Sequence, residues 1–141
     1  MTVTGNAGYR YLLETIYGQK LMEKQISAEV RVFVDSELRE HALPKAGEYK
    51  RNIPVEERAN LVRLRFGLDD DSPKTFTEIA EIYGISHSLP SQLISKILRG
   101  LRRPRTAWPL RQLMIEDGLG LDPDEPIPGP KPYWYYYEGT S

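Results

Sequence analysis

The sequence predicts an all-α protein in three parts: a helical N-terminal unit with its linker over residues 1–50, a helix-turn-helix bundle over 51–117, and an irregular tail over 118–141. Three observations support this prediction. Apolar residues recur at intervals of three or four, glycine and proline stand where these runs end, and a proline-rich segment with clustered aromatic residues closes the sequence. At 141 residues the chain is long enough to bury a core without staples.

Composition excludes several classes of protein. There is no cysteine, which rules out disulfides, thiolate metal sites and a thiol nucleophile. The apolar fraction of 40% and the charged fraction of 28% are typical of a folded, soluble chain. No apolar run approaches the ~20 residues of a membrane helix, and the N-terminus lacks the apolar core of a signal peptide. We therefore expect a cytoplasmic protein that does not bind a membrane.

The N-terminal unit carries two helical patterns. Gly18 is a natural interruption within the first of them. The β-branched residues at 30–34 allow a short strand, but residues 27–43 as a whole favour a helix, and the polar, proline-containing residues 44–54 are predicted to be a linker. Approximate helical spacing is shown in the first pattern by Leu12, Leu13, Ile16, Leu21 and Met22.

A third helix is predicted over residues 55–66, with Gly67 as its terminator. The polar loop that follows contains Asp69, Asp70 and Asp71. By composition these carboxylates suit a hard cation, but carboxylates in a loop are more often simply solvated. In the predicted helix over 55–66, the apolar residues at intervals of three or four are Val55, Ala59, Val62 and Phe66.

A helix-turn-helix follows the polar loop. Thr75 and Glu78 have the spacing of a capping box, which starts a helix ending at Tyr83. A turn at 84–86 leads to a second helix over 88–103, which Pro104 ends. The close crossing of two such helices requires a small residue in the first, a glycine at the turn and apolar residues around them; these requirements are met by Ala80, Gly84, Ile79, Tyr83, Ile85 and Leu93.

Charge is segregated along the chain, although the net charge is only −1. Residues 86–112 contain no acidic side chain, and such a run gives a locally positive surface. In a helix-turn-helix, the start of the second helix reads base edges and its later cations reach phosphates. A helical hairpin within a core is the alternative, but it has no need of such charge. The basic residues of the run are Lys96, Arg99, Arg102, Arg103, Arg105 and Arg111.

Residues 53–115 resemble region 4 of the housekeeping-type sigma-70 factors. That family ends a helix with Arg-x-Arg-Phe-Gly-hydrophobic-Asp, continues through a polar loop into the capped helix and turn, and closes on Leu-Arg-x-Leu-Arg-x-Pro. The resemblance is much more specific than helix-turn-helix spacing and needs no gap. The matching residues are Arg63, Arg65, Phe66, Gly67, Leu68, Asp69, Thr75, Glu78, Ile79, Gln92, Lys96, Leu98, Arg99, Leu101, Arg102 and Pro104.

The resemblance implies a module that binds the promoter −35 element while resting on the flap of RNA polymerase. It implies backbone contacts by Arg65, Thr75 and Lys96, a base contact by Gln92, and a flap surface that includes Leu61 and Leu64. With the residues that the helix-turn-helix pattern adds, the candidate DNA-binding residues are Arg65, Thr75, His87, Ser88, Ser91, Gln92, Ser95, Lys96, Arg99, Arg102, Arg103 and Arg105.

The sequence departs from the family just after the turn. Where the family presents Arg-Glu-Arg-hydrophobic-Arg-Gln, residues 87–92 read His-Ser-Leu-Pro-Ser-Gln. An arginine paired with guanine gives ~1–3 kcal/mol of discrimination, so the usual −35 sequence is not the expected target. Pro90 is tolerable in a first helical turn. Ile94 replaces a polar residue; with Leu89 it is either exposed, towards thymine methyls or a protein, or buried in a rotated helix.

Taken together, the sequence predicts a DNA-binding transcription regulator, or a sigma-like accessory factor acting with bacterial RNA polymerase. The alternative is an adaptor that uses the same scaffold on polymerase or on a sigma factor without reading DNA sequence. The N-terminal helices are open to pairing with a second copy, and the aromatic residues 133–137 either fold back or dock on a partner. His41 and His87 are far apart and no phosphate loop is present, so no enzyme, cofactor or metal is expected.

Overall fold

This computed structural model describes residues 5–43 and 53–130. These residues contain six α-helices and no strand. The all-α prediction is confirmed for these residues. Most of the predicted linker and the whole aromatic cluster at 133–137 lie outside them. The helices are α1 (Asn6–Tyr17), α2 (Ala28–Ala42), α3 (Val55–Phe66), α4 (Phe76–Tyr83), α5 (Ser88–Leu101) and α6 (Pro104–Glu116).

Local signals in the sequence account for most of the helix ends. Residues 30–34 lie within α2, which settles the alternative of a strand. Both bonds of the predicted capping box are present: the Thr75 hydroxyl accepts from the Glu78 amide at 3.1 Å, and the Glu78 carboxylate accepts from the Thr75 amide at 3.0 Å. Gly84 has the left-handed conformation, with φ of 64°, that the turn after α4 requires.

Helix α6 was not predicted from the sequence. Pro104 ends α5, as predicted, but it also occupies the first turn of α6. This position suits proline because the first amides of a helix have no partner within the helix and because its φ is already helical. The same residue therefore closes one helix and opens the next.

One hydrophobic core joins the N-terminal helices to the helix-turn-helix segment. Helix α2 packs against α3, α5 and α6, while α5 contacts α2, α3, α4 and α6. The predicted N-terminal unit and bundle thus share a single cluster of buried side chains. The residues from 118 onward contain no helix within the described part, but they contribute to this core too. Buried members from every part are Leu12, Val34, Leu61, Ile79, Ile97, Met114, Leu119 and Leu121.

The three aspartates after α3 have structural partners. Asp71 caps α1 from a distance of 66 residues, since its carboxylate accepts the Gly5 amide at 2.9 Å and the Gly8 amide at 3.1 Å. Asp69 pairs with Arg63, which also reaches Asp35 on α2 at 2.7 Å. Asp70 accepts the Ser72 amide within its own turn. The loop is therefore part of the packing between α1, α2 and α3.

Gly100 allows α2 and α5 to approach closely. A Cβ atom at this position would lie 2.3 Å from Nδ1 of His41 on α2 and 2.6 Å from its Cγ. The imidazole has little room to move, because its Nε2 lies 2.9 Å from the Thr106 hydroxyl oxygen on α6. A side chain at residue 100 would therefore force the two helices apart.

We predict that Gly100→Ala lowers the free energy of unfolding by about 1–2 kcal/mol, the cost of overpacking a close contact. At an exposed position in a helix, replacing glycine by alanine raises the free energy of unfolding by about 1 kcal/mol. Whether Gly100→Ala lowers or raises it therefore tests the close packing. Urea denaturation followed by circular dichroism measures it. Introducing Gly100→Ala into a His41→Ala background should remove the penalty; a stabilised single variant would contradict the close approach.

We predict that Asp71→Ala destabilises the fold by about 1 kcal/mol, as loss of a helix cap does. Burial raises the pKa of Asp71, but hydrogen bonds from the Gly5, Gly8 and Ala7 amides outweigh it and hold the pKa below its ordinary value of 3.8. A carboxylate with a lowered pKa contributes stability that is present above about pH 4 and is lost as the pH falls through the folded pKa. Urea denaturation at pH 7 and pH 3 should therefore show a smaller difference between variant and wild type at pH 3.

Candidate nucleic-acid interface

A single face of α5 is open to solvent. Apart from the half-buried Leu89, its exposed or half-buried members recur every three or four residues, which places them in one line along the helix. The line carries three cations and a glutamine and no acidic side chain. We call it the basic stripe, and its members are Ser88, Gln92, Lys96, Arg99 and, just after the helix, Arg103.

Three further candidate residues lie at or near the surface around α5. His87 precedes the basic stripe and Arg105 follows it, and both side chains are exposed. Thr75 is half-buried, and its hydroxyl is already used as the cap of α4. It remains able to accept a further bond, but its primary contact is structural.

Four candidate DNA-binding residues are buried, which corrects their predicted placement at the interface. Arg65 is only 5% exposed: it donates to the Lys74 carbonyl at 2.9 Å, and its guanidinium lies 4.4 Å from the centre of the Phe76 ring. Burial lowers the pKa of Arg65, and the nearby Tyr11 opposes this shift. Ser91 and Ser95 are buried between α5 and its neighbours; the Ser91 hydroxyl donates to the Ser88 carbonyl at 2.9 Å.

Arg102 is the fourth buried residue, with 2% of its surface exposed. Its guanidinium donates to the Thr15 carbonyl in α1 at 2.9 Å and to the Gly129 carbonyl at 3.4 Å. These bonds connect the end of α5 to α1 and to the segment after α6. Arg102 therefore serves the fold, whereas its neighbour Arg103 is exposed.

The structure also shows which of the apolar candidate residues are buried. Leu61 is fully buried in the core, so it does not form the surface that the resemblance implied for a polymerase flap. Leu64 is half-buried and packs against the core. Ile94 is buried and Leu89 is half-buried, so α5 takes the rotated arrangement rather than the exposed one. The physical reason is common to all four: neighbouring helices enclose α3 and α5.

A cavity of about 200 Å³ lies beside the basic stripe, between the end of α2 and α5. Three of its lining side chains are cations from the stripe, and one, from Glu40, is acidic. Gly100 and His41 form the part of the wall where the two helices come closest. The complete lining consists of Glu40, His41, Leu43, Lys96, Arg99, Gly100 and Arg103.

A hydrogen-bonded chain assigns the tautomer of neutral His41. The Thr106 hydroxyl donates to Glu37 at 2.6 Å, so its oxygen accepts a bond from Nε2 of His41 at 2.9 Å. In the neutral ring Nδ1 is then the unprotonated nitrogen, where an added proton would go. Burial lowers the pKa of His41; Glu37 and Glu40 raise it, and Arg103 and Arg105 lower it further.

The chain matches no protein-family model and no solved structure. Within residues 5–43 and 53–130, no helix is long and apolar enough to cross a membrane. The same described residues contain no cluster of three metal-ligating side chains. The candidate interface therefore rests on the exposed residues of α5 and their surroundings.

We predict that Arg102→Ala lowers the free energy of unfolding by about 2 kcal/mol, because it removes a charged donor from two carbonyls. Arg99→Ala and Arg103→Ala should each change it by less than about 0.5 kcal/mol, as surface substitutions do. Thermal unfolding followed by circular dichroism compares the three variants. If Arg103→Ala were as destabilising as Arg102→Ala, the division between buried and exposed arginines would be wrong.

Proposed function

We propose that this chain is a DNA-binding transcription regulator or sigma-like accessory factor, which places the basic stripe of α5 against the major groove of a DNA duplex. The observation that carries the proposal is the selective exposure of α5. The helix buries its apolar side chains and exposes one line that contains glutamine, lysine and arginine but no carboxylate. A helix whose role was only to fill a core would have no reason to collect cations on its one open face.

The order of residues along the stripe suits a docked recognition helix. Gln92 lies near the start of α5, where side chains reach base edges, and a glutamine can pair with adenine in bidentate fashion. Arg99 follows seven residues later, which is about 10 Å along a helix. The major groove is about 12 Å wide, so a cation at that distance from a bound base reaches the phosphates at its edge. Lys96 lies between the two.

The stripe is better equipped for phosphate binding than for reading sequence. Gln92 is the one long side chain on the open face of the first two turns of α5, because Leu89 and Pro90 contribute to the packing. Phosphate contacts need only cations and supply most non-specific affinity. We therefore expect modest sequence preference and strong dependence on salt. The resemblance to sigma region 4 supports the same mode of binding.

We predict that the full chain binds a fluorescein-labelled duplex of mixed sequence with a strong dependence on salt. Lys96, Arg99, Arg103 and Arg105 provide about four phosphate contacts, which gives a slope of about −3.6 in log K against log salt concentration. Affinity should fall about a hundredfold between about 50 and 200 mM salt. Fluorescence anisotropy measures both quantities.

The double variant Arg99→Ala/Arg103→Ala should bind more weakly, with its slope reduced by about 2. The matched control is Arg10→Ala/Lys20→Ala, which removes the same charge from α1 and the loop after it and should keep the wild-type slope. Equal losses in the two variants would show a response to total charge only and would contradict the assignment of the stripe.

The second candidate is an adaptor that binds protein, and exposed apolar side chains favour it. Trp108 on α6 is 62% exposed and Ile82 on α4 is 57% exposed. Isolated apolar residues are common on protein surfaces, but an exposed tryptophan is characteristic of interfaces. Retention of bacterial core RNA polymerase in a pull-down that is insensitive to salt, and is lost in Trp108→Ala, would favour the adaptor over the DNA binder.

A further inference from the structure

We infer that the cavity between α2 and α5 is a phosphate-binding site that receives one backbone phosphate of the bound duplex, and that His41 makes this contact dependent on pH. The inference rests on the proposed function, since it names a contact within the same interface. It adds residues of the N-terminal helix α2 to an interface whose predicted members lie between Arg65 and Arg105.

The lining of the cavity suits an oxyanion. Lys96, Arg99 and Arg103 are three cations around one small space, against the single carboxylate of Glu40. The volume of about 200 Å³ accommodates several water molecules at about 30 Å³ each, so a phosphate group enters together with part of its hydration. Arginine and lysine donors are the groups that most commonly bind phosphate oxygens.

The location of the cavity matches the path of a duplex on the basic stripe. Its three cations are the last three members of the stripe, and they lie beyond Gln92 in the direction where α5 leaves the groove. The opposite wall belongs to the C-terminal turn of α2. A phosphate at this position would therefore be held between two helices, which fixes its distance from the bases near Gln92 more firmly than flexible surface side chains could.

His41 makes the site sensitive to protons. Its Nε2 is bonded to Thr106, so a proton adds at Nδ1, the ring atom that packs closest to Gly100 in the wall of the cavity. The charged groups that face this ring are Glu37 and Glu40 on α2, Lys96 and Arg99 on α5, Arg103 between α5 and α6, and Arg105 on α6. A phosphate in the cavity offsets the cations among them and favours the protonated ring.

Phosphate binding and protonation of His41 are linked, and this linkage gives the direction of the pH effect. In the unbound protein, burial and the nearby arginines keep the pKa of His41 below its ordinary value of 6.5. Bound phosphate raises that pKa, so binding takes up a proton and becomes tighter as the pH falls through this range. Each unit by which the pKa rises corresponds to a tenfold gain in affinity below both pKa values.

The experiment measures duplex affinity by anisotropy from pH 8 to pH 5.5 in chloride buffers, together with the His41 pKa by NMR. We expect wild-type affinity to rise about threefold to tenfold over this range, and His41→Gln to lose that rise. Glutamine keeps an amide that can donate to Thr106. Glu40→Gln should bind more tightly throughout, because it removes the one acidic side chain from the lining.

The NMR measurement uses the wild-type protein and so does not depend on how the variants fold. Duplex DNA, and separately sulfate, whose charge is constant over this range, should each raise the His41 pKa and shift the Gly100 amide resonance. DNA binding with an unchanged His41 pKa would overturn the inference and leave the proposed function standing. A response to sulfate without any DNA binding would support the oxyanion site and overturn the proposed function. No response to either would overturn both.

Discussion

The enclosed position of α5 is the constraint on which the rest of the structure depends. Helices α2, α3, α4 and α6 all pack against it, so nearly every direction from its axis is occupied by core. Only one line of residues is left for contact with another molecule. The fold therefore determines both the width of the candidate interface and its composition, because the side chains of α5 outside that line are buried, as Ser95 is, or half-buried, as Leu89 is.

The bounds of α4 were predictable from sequence because their signals are local, whereas α6 was not predicted and α5 ends at Leu101 rather than Arg103. The capping box at Thr75 and the glycine at the turn act within a few residues, and both are present. The two faces of α5 were not predictable in the same way. Arg99 and Arg102 are three residues apart and chemically identical, but α1 and the segment after α6 surround only Arg102. Which arginine is buried depends on partners that are 87 and 27 residues away.

Other polar contacts of the fold also join residues that are far apart in the sequence. Asp71 caps α1 across 66 residues, and the Tyr17 hydroxyl donates to the Ala107 carbonyl of α6 at 2.6 Å. The residue types suggest polar loops and a helical face, and nothing in the local pattern indicates that they meet. Through these contacts helices α1 and α2 share the core of the helix-turn-helix segment, and a division of the chain near residue 50 would separate partners that stabilise each other.

Helix α2 also decides how the basic stripe behaves electrostatically. Packing α2 against α5 buries apolar surface, but it places Glu37 and Glu40 close to the cations of α5 and α6. Among the side chains that line the cavity, Glu40 is the one carboxylate beside three cations. Because the net charge of the cavity lining is small, one proton on His41 changes it by a large fraction. On a densely basic surface the same proton would change the net charge very little. The stripe is basic by only a few charges, and α2 supplies the groups, Glu37, Glu40 and His41, that adjust this balance.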